Sequence, residues 1–557
     1  MIGHHRATVA EHHWMKDAAV ILSVAGLIPL AVGMFAVRAG SPAPVLVLAG
    51  GIITACLVAV GRLPLAAISV VVAAVMLDYY QLITLQIYAP VAATALACVL
   101  LGYIFLTQSG RCPWIRIPEL AVWGGLLLLV ALHLKQGVSS FGSLNDFNQV
   151  FVNAALAFIL GTQVVRSARQ LRQLLAGITG FAVLLAAHGL VQAMTGTFLF
   201  LTPTWQSWLD YKSNYTIFGT STVRVGSFLI NPDNLGVLLA LALPLALGLC
   251  MSSTSRRGKL IWLGGSCVIV LGLLQTYSNA SWAAAGAAVA VSFFLLSSRR
   301  YRAFAVGFIA AVPIVLLLLF PSQVQVLFEH ATNPRELRLR VAVWHTGLNV
   351  IAANSLTGIG LGNTNYLVRS DPYRDMYQSA SLTHPHNSFL EVAAMAGLPV
   401  AALFLALYFV PIIRCLRIFR ASEGSQRLLL GAGLAAVVAL SVNSMATNGM
   451  TLPPLVVIDW LILGAISSPA LQSASGKSLV GSRSLASAAP QTPDMHAATA
   501  AISDTSPPKG QATLGLPPDM PDLSPVPLPG SGALAEHATT QRRHDCDDVE
   551  STARGQV

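Results

Sequence analysis

The chain is built on apolar runs long enough to cross a bilayer. One reads NLGVLLALALPLALGLCMS, from Asn234 to Ser252, without a charged residue. An α-helix rises 1.5 Å per residue, so about 20 mainly apolar residues span the hydrocarbon core. Such runs fall at 18–37, 43–61, 63–78, 85–107, 118–134, 149–165, 173–194, 234–252, 259–276, 281–298, 303–320, 388–411, 427–445 and 453–468. The run at 63–78 is short enough to be partly re-entrant. Only 10% of the 557 residues are charged, against about 25% in a soluble domain. A chain of this size cannot then cover a water-facing surface. The expected fold is an all-α polytopic membrane protein with about 12–14 transmembrane helices.

Basic residues fall in alternate loops: Arg62, then Arg111 and Arg116, then Arg166, Arg169 and Arg172. Arg256, Arg257 and Lys259 follow, then Arg299, Arg300 and Arg302, and finally Arg414, Arg417, Arg420 and Arg427. The positive-inside bias assigns these loops, and both termini, to the cytoplasm. They account for most of the net charge of +10. Few aromatic residues lie among them, so no nucleic-acid partner is expected. The first run, after MIGHHRATVAEHHWMKD, reads as an uncleaved anchor. The stretch 470–557 is rich in Ala, Ser, Pro and Thr and lacks apolar periodicity, which predicts a disordered cytoplasmic tail beside a membrane domain at 1–469. The seven cysteines lack metal-ligand spacing and read as small buried hydrophobes without disulfides.

Two outward loops are long, 195–233 and 321–387, and long loops on a tight bundle concentrate function. Both carry arginine where the orientation bias disfavours it. Arg224 stands in TSTVRVGSFLINPDNLG. Arg335, Arg338, Arg340 and His345 stand in NPRELRLRVAVWHTGLNVIAANSLTGIGLGN. They read either as solvated charges paired with Glu329 and Glu336, or as an anion site, since a guanidinium fork matches phosphate oxygens. Asn231, Pro232 and Asp233 precede a helix whose free N–H groups add to such a site. Trp344, Leu348 and Ile351 share a face, which predicts a short interfacial helix from Trp344 to about Ala353. GIGLGN follows no strand and reads as a tight, closely packed turn rather than a nucleotide loop.

THPHNSFLEVAAMAGLP places His384 and His386 against an apolar run. A helix N-terminus disfavours positive charge, so His386 is biased toward the neutral form that a general base needs. Asn387 or Ser388 is the expected cap. The plainer reading is an interfacial cap with a satisfied histidine. Asp78, Glu391 and Asp459 are the main carboxylates near apolar runs, and Asp233 borders one. A paired-carboxylate glycosidase is therefore poorly supported, and no cluster has metal spacing. No cofactor or metal is expected.

The stretch His386–Gly397 resembles the His-Asn signature of the O-antigen ligase superfamily, which spans lipopolysaccharide O-antigen ligases, Wzy-type polymerases and protein O-oligosaccharyltransferases. RVGSFLINPDNLG from Arg224 is similar to the family's arginine and Asn-Pro region. RVAVW and GIGLGN, from Arg340 to Asn363, are similar to its Arg-Trp and Gly-x-Gly region. The resemblance covers about 220–410. Val400 and Asn279 depart from residues that members often carry. The resemblance implies a GT-C-like fold and metal-independent, inverting glycosyl transfer on the periplasmic side of a bacterial inner membrane. The implied donor is a glycan on undecaprenyl diphosphate. His386 would deprotonate the acceptor. Arg224 and Arg340 would hold the diphosphate, with Arg338 as a third candidate. His384 would be a positioning neighbour, and Asn387 would orient His386 or cap the helix. The leading expectation is an O-antigen ligase acting on lipid A–core. A Wzy-type polymerase and a protein O-oligosaccharyltransferase share the motif. A transporter or flippase is the non-enzymatic alternative, in which His133, His188 and Asp78 would matter.

Overall fold

The computed structural model describes residues 52–75, 88–108, 115–197, 212–213, 215–217, 221–296, 314–315, 317–378 and 383–473. The expected run at 18–37, the first part of 43–61 and most of 303–320 lie outside these residues, as do Asp78, Arg111, Arg299, Arg300, Arg302, Cys112, Cys546 and nearly all of the expected tail. Among the described residues the fold is all-helical. The one β feature is an isolated antiparallel bridge between Thr216 and Val223.

The principal helices are α1 (Tyr88–Gln108), α2 (Leu120–Leu132), α3 (Ser140–Val164), α4 (Ala168–Thr195), α5 (Pro232–Ser252), α6 (Arg256–Thr276) and α7 (Asn279–Leu296). After them come α8 (Pro321–Thr332), α9 (Pro334–Ala353), α10 (Asn363–Arg369), α11 (Ser388–Ala396), α12 (Leu398–Ala421), α13 (Gly424–Ser444) and α14 (Pro453–Ile466). Seven described helices are long and apolar enough to cross a membrane, among them α3, α4, α5 and α13, and four shorter apolar helices accompany them. The protein is a polytopic all-α membrane protein.

α5 is the central element, buried along almost its whole length and packed on α6, α7 and α13. Against α3, α14 approaches at backbone distance. A Cβ on Gly161 would meet Leu461 O at 2.2 Å, and one on Gly464 would meet Phe158 O at 2.1 Å. Small residues permit this approach where no water drives apolar faces together. Beside this contact an aromatic cluster surrounds Trp460, with ring centroids 4.8 Å to Trp123, 5.6 Å to Phe404 and 5.7 Å to Tyr408.

Three expectations are corrected. The run 388–411 is not one helix: α11 and α12 meet at Gly397, whose φ is +85°, and Pro399 stands in the first turn of α12. The outer segment 321–387 is largely helical, holding α8, α9 and α10. The helix expected from Trp344 begins ten residues earlier, at Pro334, capped by the Asn333 side chain, which accepts from Arg335 N at 3.0 Å. Its first turns carry Pro, Arg and Glu, so apolar periodicity does not reveal them. Finally, Cys56, Cys98 and Cys267 are exposed free thiols, whereas Cys415 is buried. On a membrane helix the outward face is as apolar as the packed one, so an apolar neighbourhood does not distinguish them.

The broken helix is spliced by the GIGLGN loop. Ile359 N–H donates to Ala394 O at 3.0 Å and Gly360 N–H to Met395 O at 2.9 Å. These carbonyls end α11 and have no partner within it. Leu398 N–H donates back to Ser355 O at 2.7 Å. Gly358, Gly360 and Gly362 all have positive φ, and a Cβ on Gly358 would lie 2.4 Å from Met395 C. The glycines are thus required for a tight, closely packed turn, as the sequence predicts.

The two described residues that a transport reading would use, His133 and His188, have local partners. His133 Nδ1 lies 2.6 Å from Leu129 O. His188 Nδ1 lies 2.9 Å from Ser227 Oγ, and its ring stacks on Phe228 at 4.3 Å. Several basic residues read as loop charges are tied to helices instead. Arg414, inside α12, pairs with the buried Glu119. Arg172 donates to Ser252 O at 2.8 Å, at the end of α5.

Candidate active site

The start of α5 fixes the first arginine. Asn231 caps the helix, its side chain accepting from Asp233 N at 2.8 Å, with Pro232 following. The Asp233 N–H expected to be open to an anion is therefore occupied. The preceding turn is tight, with Ile230 at φ +60° and Gly226 where a Cβ would lie 1.7 Å from Ile230 O. Arg224 leaves this turn with its backbone N–H on Tyr215 O at 3.0 Å. Its Nε donates to Thr276 O at 2.8 Å, and its Nη2 pairs with Asp233 Oδ1 at 2.5 Å. Both ends of the guanidinium are held before any ligand arrives.

Arg340 comes from α9, and its Nη1 donates to Ala446 O at 2.6 Å. Ala446 belongs to the turn joining α13 to α14. The same turn anchors α11: Ser388 N–H donates to Thr447 O at 3.1 Å, and Met450 N–H to Ser388 Oγ at 3.1 Å. Asn387 caps α11, its Oδ1 accepting from Phe389 N and Leu390 N at 3.0 and 3.1 Å. Its Nδ2 donates to Met445 O at 3.0 Å. Of the two expected caps, Asn387 is the one used, and it ties α11 to the same turn as Arg340.

His386 sits between these anchors in a left-handed conformation, φ +47°. For a histidine this is uncommon and costs on the order of 1 kcal/mol. Its backbone N–H donates to His384 Nδ1 at 3.2 Å, and the two rings meet edge-on with centroids 4.3 Å apart. Accepting that bond puts the His384 proton on Nε2. Burial, and then the neighbouring His386, push the His384 imidazole down to about 3. Burial also lowers His386, and the Arg340 charge lowers it further; Asp233 and Glu336 pull the other way. Both imidazoles are neutral near pH 7.

Arg224, Arg340 and His386 line one cavity of about 370 Å³, together with Asp233, Glu329 and Glu336. Arg338 does not join them. It is exposed and is not among the lining residues. Residues two apart on a helix face different ways, so Arg340 turns inward and Arg338 outward. His384 is not among the lining residues and meets the site at His386. His345 is also outside, 61% exposed and 3.4 Å from Asp375.

The sequence offers Glu329 and Glu336 only as charge partners of the arginines, and does not place them with Asp233 in one cavity. Glu336 and Arg340 are i and i+4 on α9, a spacing that puts them on one face, and this signal was available. Nothing local signals that Asp233 folds back onto Arg224, or that Ala446 and Thr447 wall the cavity. Among the described residues no group of three or more His, Cys, Asp or Glu could hold a metal ion. The cavity offers a neutral imidazole, two guanidiniums and three carboxylates, a set suited to moving one proton beside a bound anion.

The bundle and this site define a multi-pass membrane protein with a polar, arginine-lined cavity. Residues 265–405 match the family model described as O-antigen ligase, which supports the O-antigen ligase superfamily for this chain. The matched stretch includes Arg340, the glycine splice and His386–Gly397; Arg224 and Asp233 precede it. No curated protein matches the chain. The family's members are ligases and polymerases of the glycosyltransferase type.

Proposed function

We propose that this protein is an O-antigen ligase that transfers a glycan from undecaprenyl diphosphate to lipid A–core, on the periplasmic side of a bacterial inner membrane. The observation that carries the reading is that Arg224, Arg340 and His386 line one cavity. His386, neutral and with no hydrogen bond to its ring nitrogens among the described residues, takes the proton from an acceptor hydroxyl. The hydroxyl oxygen then bonds to the anomeric carbon with inversion. The anomeric C–O bond breaks, and its electron pair leaves on the diphosphate.

Arg224 and Arg340 meet the charge that develops there. A diphosphate departs as an anion, so no acid is needed to protonate it, and two guanidiniums supply the positive charge that the step requires. Asp233 keeps Arg224 aimed before the donor binds. The arginine bias of the alternate loops supports the assignment of this cavity to the outer side.

A Wzy-type polymerase or a protein O-oligosaccharyltransferase would run the same step with another hydroxyl. The test is reconstitution. Purified protein should join an undecaprenyl-diphosphate glycan to lipid A–core with EDTA present, and His386→Ala should not. Transfer only to a second lipid-linked glycan, or only to Ser or Thr of a protein, would reassign the acceptor. Undiminished transfer by the His386→Ala protein would remove the proposed base.

A further inference from the structure

A second recess, of about 70 Å³, shares two walls with the first cavity. α11 is one wall: His386, just before it, lines the first cavity, and Glu391, Val392 and Met395 line the second. The turn between α13 and α14 is the other: Ala446 and Thr447 line the first, Asn448 and Thr451 the second. The third side comes from α3, whose segment Phe147–Val152 is wound as a π-helix. This rare winding recurs at functional sites. It brings Gln149, Val150 and Phe151 to the recess.

The chemistry of the two spaces differs. No arginine, lysine or histidine lines the second, so it suits neither phosphate nor diphosphate. Glu391 is 7% exposed. Its Oε2 accepts from Thr451 Oγ1 at 2.7 Å, and its other oxygen has no hydrogen-bond partner among the described residues. The Asp146 side chain, across the recess, makes neither hydrogen bond nor ion pair among the described residues. The two carboxyls are near enough for their charges to interact. Carboxyl oxygens that face the recess without donors leave acceptor positions open, and a ligand that brings O–H donors fills them. Asn363 and Asn448 add amide groups, and Phe151 an apolar flank. Hydroxyls at the edge and C–H groups on the face are the surface of a sugar ring.

We propose that this recess is a subsite for a neutral, hydroxyl-bearing sugar ring of the glycosyl acceptor, with Glu391 and Asp146 accepting its hydroxyl hydrogens. The inference rests on the glycosyl-transfer reading above and adds where the acceptor is held. One turn of α11, roughly 5.4 Å, carries the chain from the His386 end to Glu391. That is about the breadth of a sugar ring, so a ring held at Glu391 points a neighbouring hydroxyl toward His386.

The test uses the full chain in detergent micelles and delipidated core oligosaccharide as the probe, with binding read by calorimetry. Asp146→Asn and Glu391→Gln keep shape and, for the latter, an acceptor for Thr451. Each should weaken saccharide binding by about threefold to tenfold, the scale of one lost hydrogen bond. Arg338→Ala, outside both cavities, should bind as wild type does. In transfer assays the two variants should raise the acceptor KM and leave the donor KM alone. Should Glu391→Gln fail to elute as a single species, Asp146→Asn alone decides. The subsite is overturned by wild-type protein that does not bind the saccharide, or by variants that bind it undiminished. It is also overturned by thermal stabilisation with Na⁺ or Ca²⁺ and none with saccharide, which would assign the carboxylates to a cation. Wild type that binds saccharide but transfers nothing would instead sink the transfer reading and leave a sugar site standing.

Discussion

Arg224 and Asp233 lie nine residues apart in sequence, yet their side chains meet at 2.5 Å across the first turn of α5. With Thr276 O on the Nε side, the pair clamps the guanidinium on two edges. A lysine cannot reproduce this, because its ammonium is a point donor on a flexible stem. Arg224→Lys and Arg224→Ala should therefore both lower kcat/KM for the lipid-diphosphate donor by about 10- to 100-fold, the equivalent of about 1.5–3 kcal/mol. Acceptor KM should not move. Steady-state rates against donor concentration check this, and a fully active Arg224→Lys enzyme would show that only charge matters there.

Arg338 and Arg340 separate the two meanings of an arginine in an outer segment. Arg340 lines the cavity and is fixed on Ala446 O; Arg338 is exposed. Arg338→Ala should change donor kcat/KM by less than about twofold, as surface substitutions do. Arg340→Ala should cost about as much as loss of Arg224. Comparison of the two single variants at one donor concentration is enough. Equal losses would place the anion outside this cavity.

His386 gives a prediction with a sign. Burial and the Arg340 charge both disfavour its imidazolium. Activity that needs the neutral ring should thus persist on acidification past the ordinary histidine range, with the acid limb of kcat/KM displaced to low pH. Arg340→Gln removes one depressing charge while Asp233 and Glu336 still favour the imidazolium. The limb should then move up in pH, independently of the fall in rate. A pH–rate profile on both proteins reads this directly. An unmoved limb would mean that the titrating group is not His386. His386→Ala should lower transfer by about 10²- to 10⁴-fold at any pH, the usual loss for a general base.

Much of the membrane scaffold was legible because bilayer thickness imposes run length. α4, α5, α6, α13 and α14 begin and end within a few residues of the apolar runs. The same criterion failed where amphipathic or charged residues form helix, as in α8 and the first turns of α9. It failed again at Gly397, where one apolar run hides two helices. Of the candidate residues, Arg224, Arg340 and His386 share a cavity, and Asn387 caps α11. Arg338 is exposed while Arg340 lines the cavity, a choice of face that a segment read as loop does not reveal. Asp233 reads in sequence as a helix-start and border residue and not as the partner of Arg224, since ion pairing across a turn leaves no periodic trace. The small recess was not legible at all: its walls come from α3, α11 and the turn after α13, far apart in sequence.

The glycine splice makes the last prediction, and it concerns stability more than chemistry. Gly358 has φ +63° and Gly397 φ +85°. A Cβ on Gly358 would fall 2.4 Å from Met395 C, and one on Gly397 2.4 Å from Leu356 O. Both clashes are with backbone, which cannot rotate away. Together they hold the end of α11, and so the position of the helix that His386 precedes. Gly358→Ala or Gly397→Ala should destabilise the protein by about 3 kcal/mol or more, combining strain with a contact that cannot relax. The loss should show as a lowered midpoint of thermal unfolding in detergent, or as failure to elute as a single species. Gly180, where a Cβ meets nothing within 4 Å, is the control. Gly180→Ala should leave the midpoint unchanged or raise it by up to about 1 kcal/mol of stability, since alanine favours the helix. If all three variants unfold alike, the glycine pattern reflects helix propensity and the splice does not hold α11 in place.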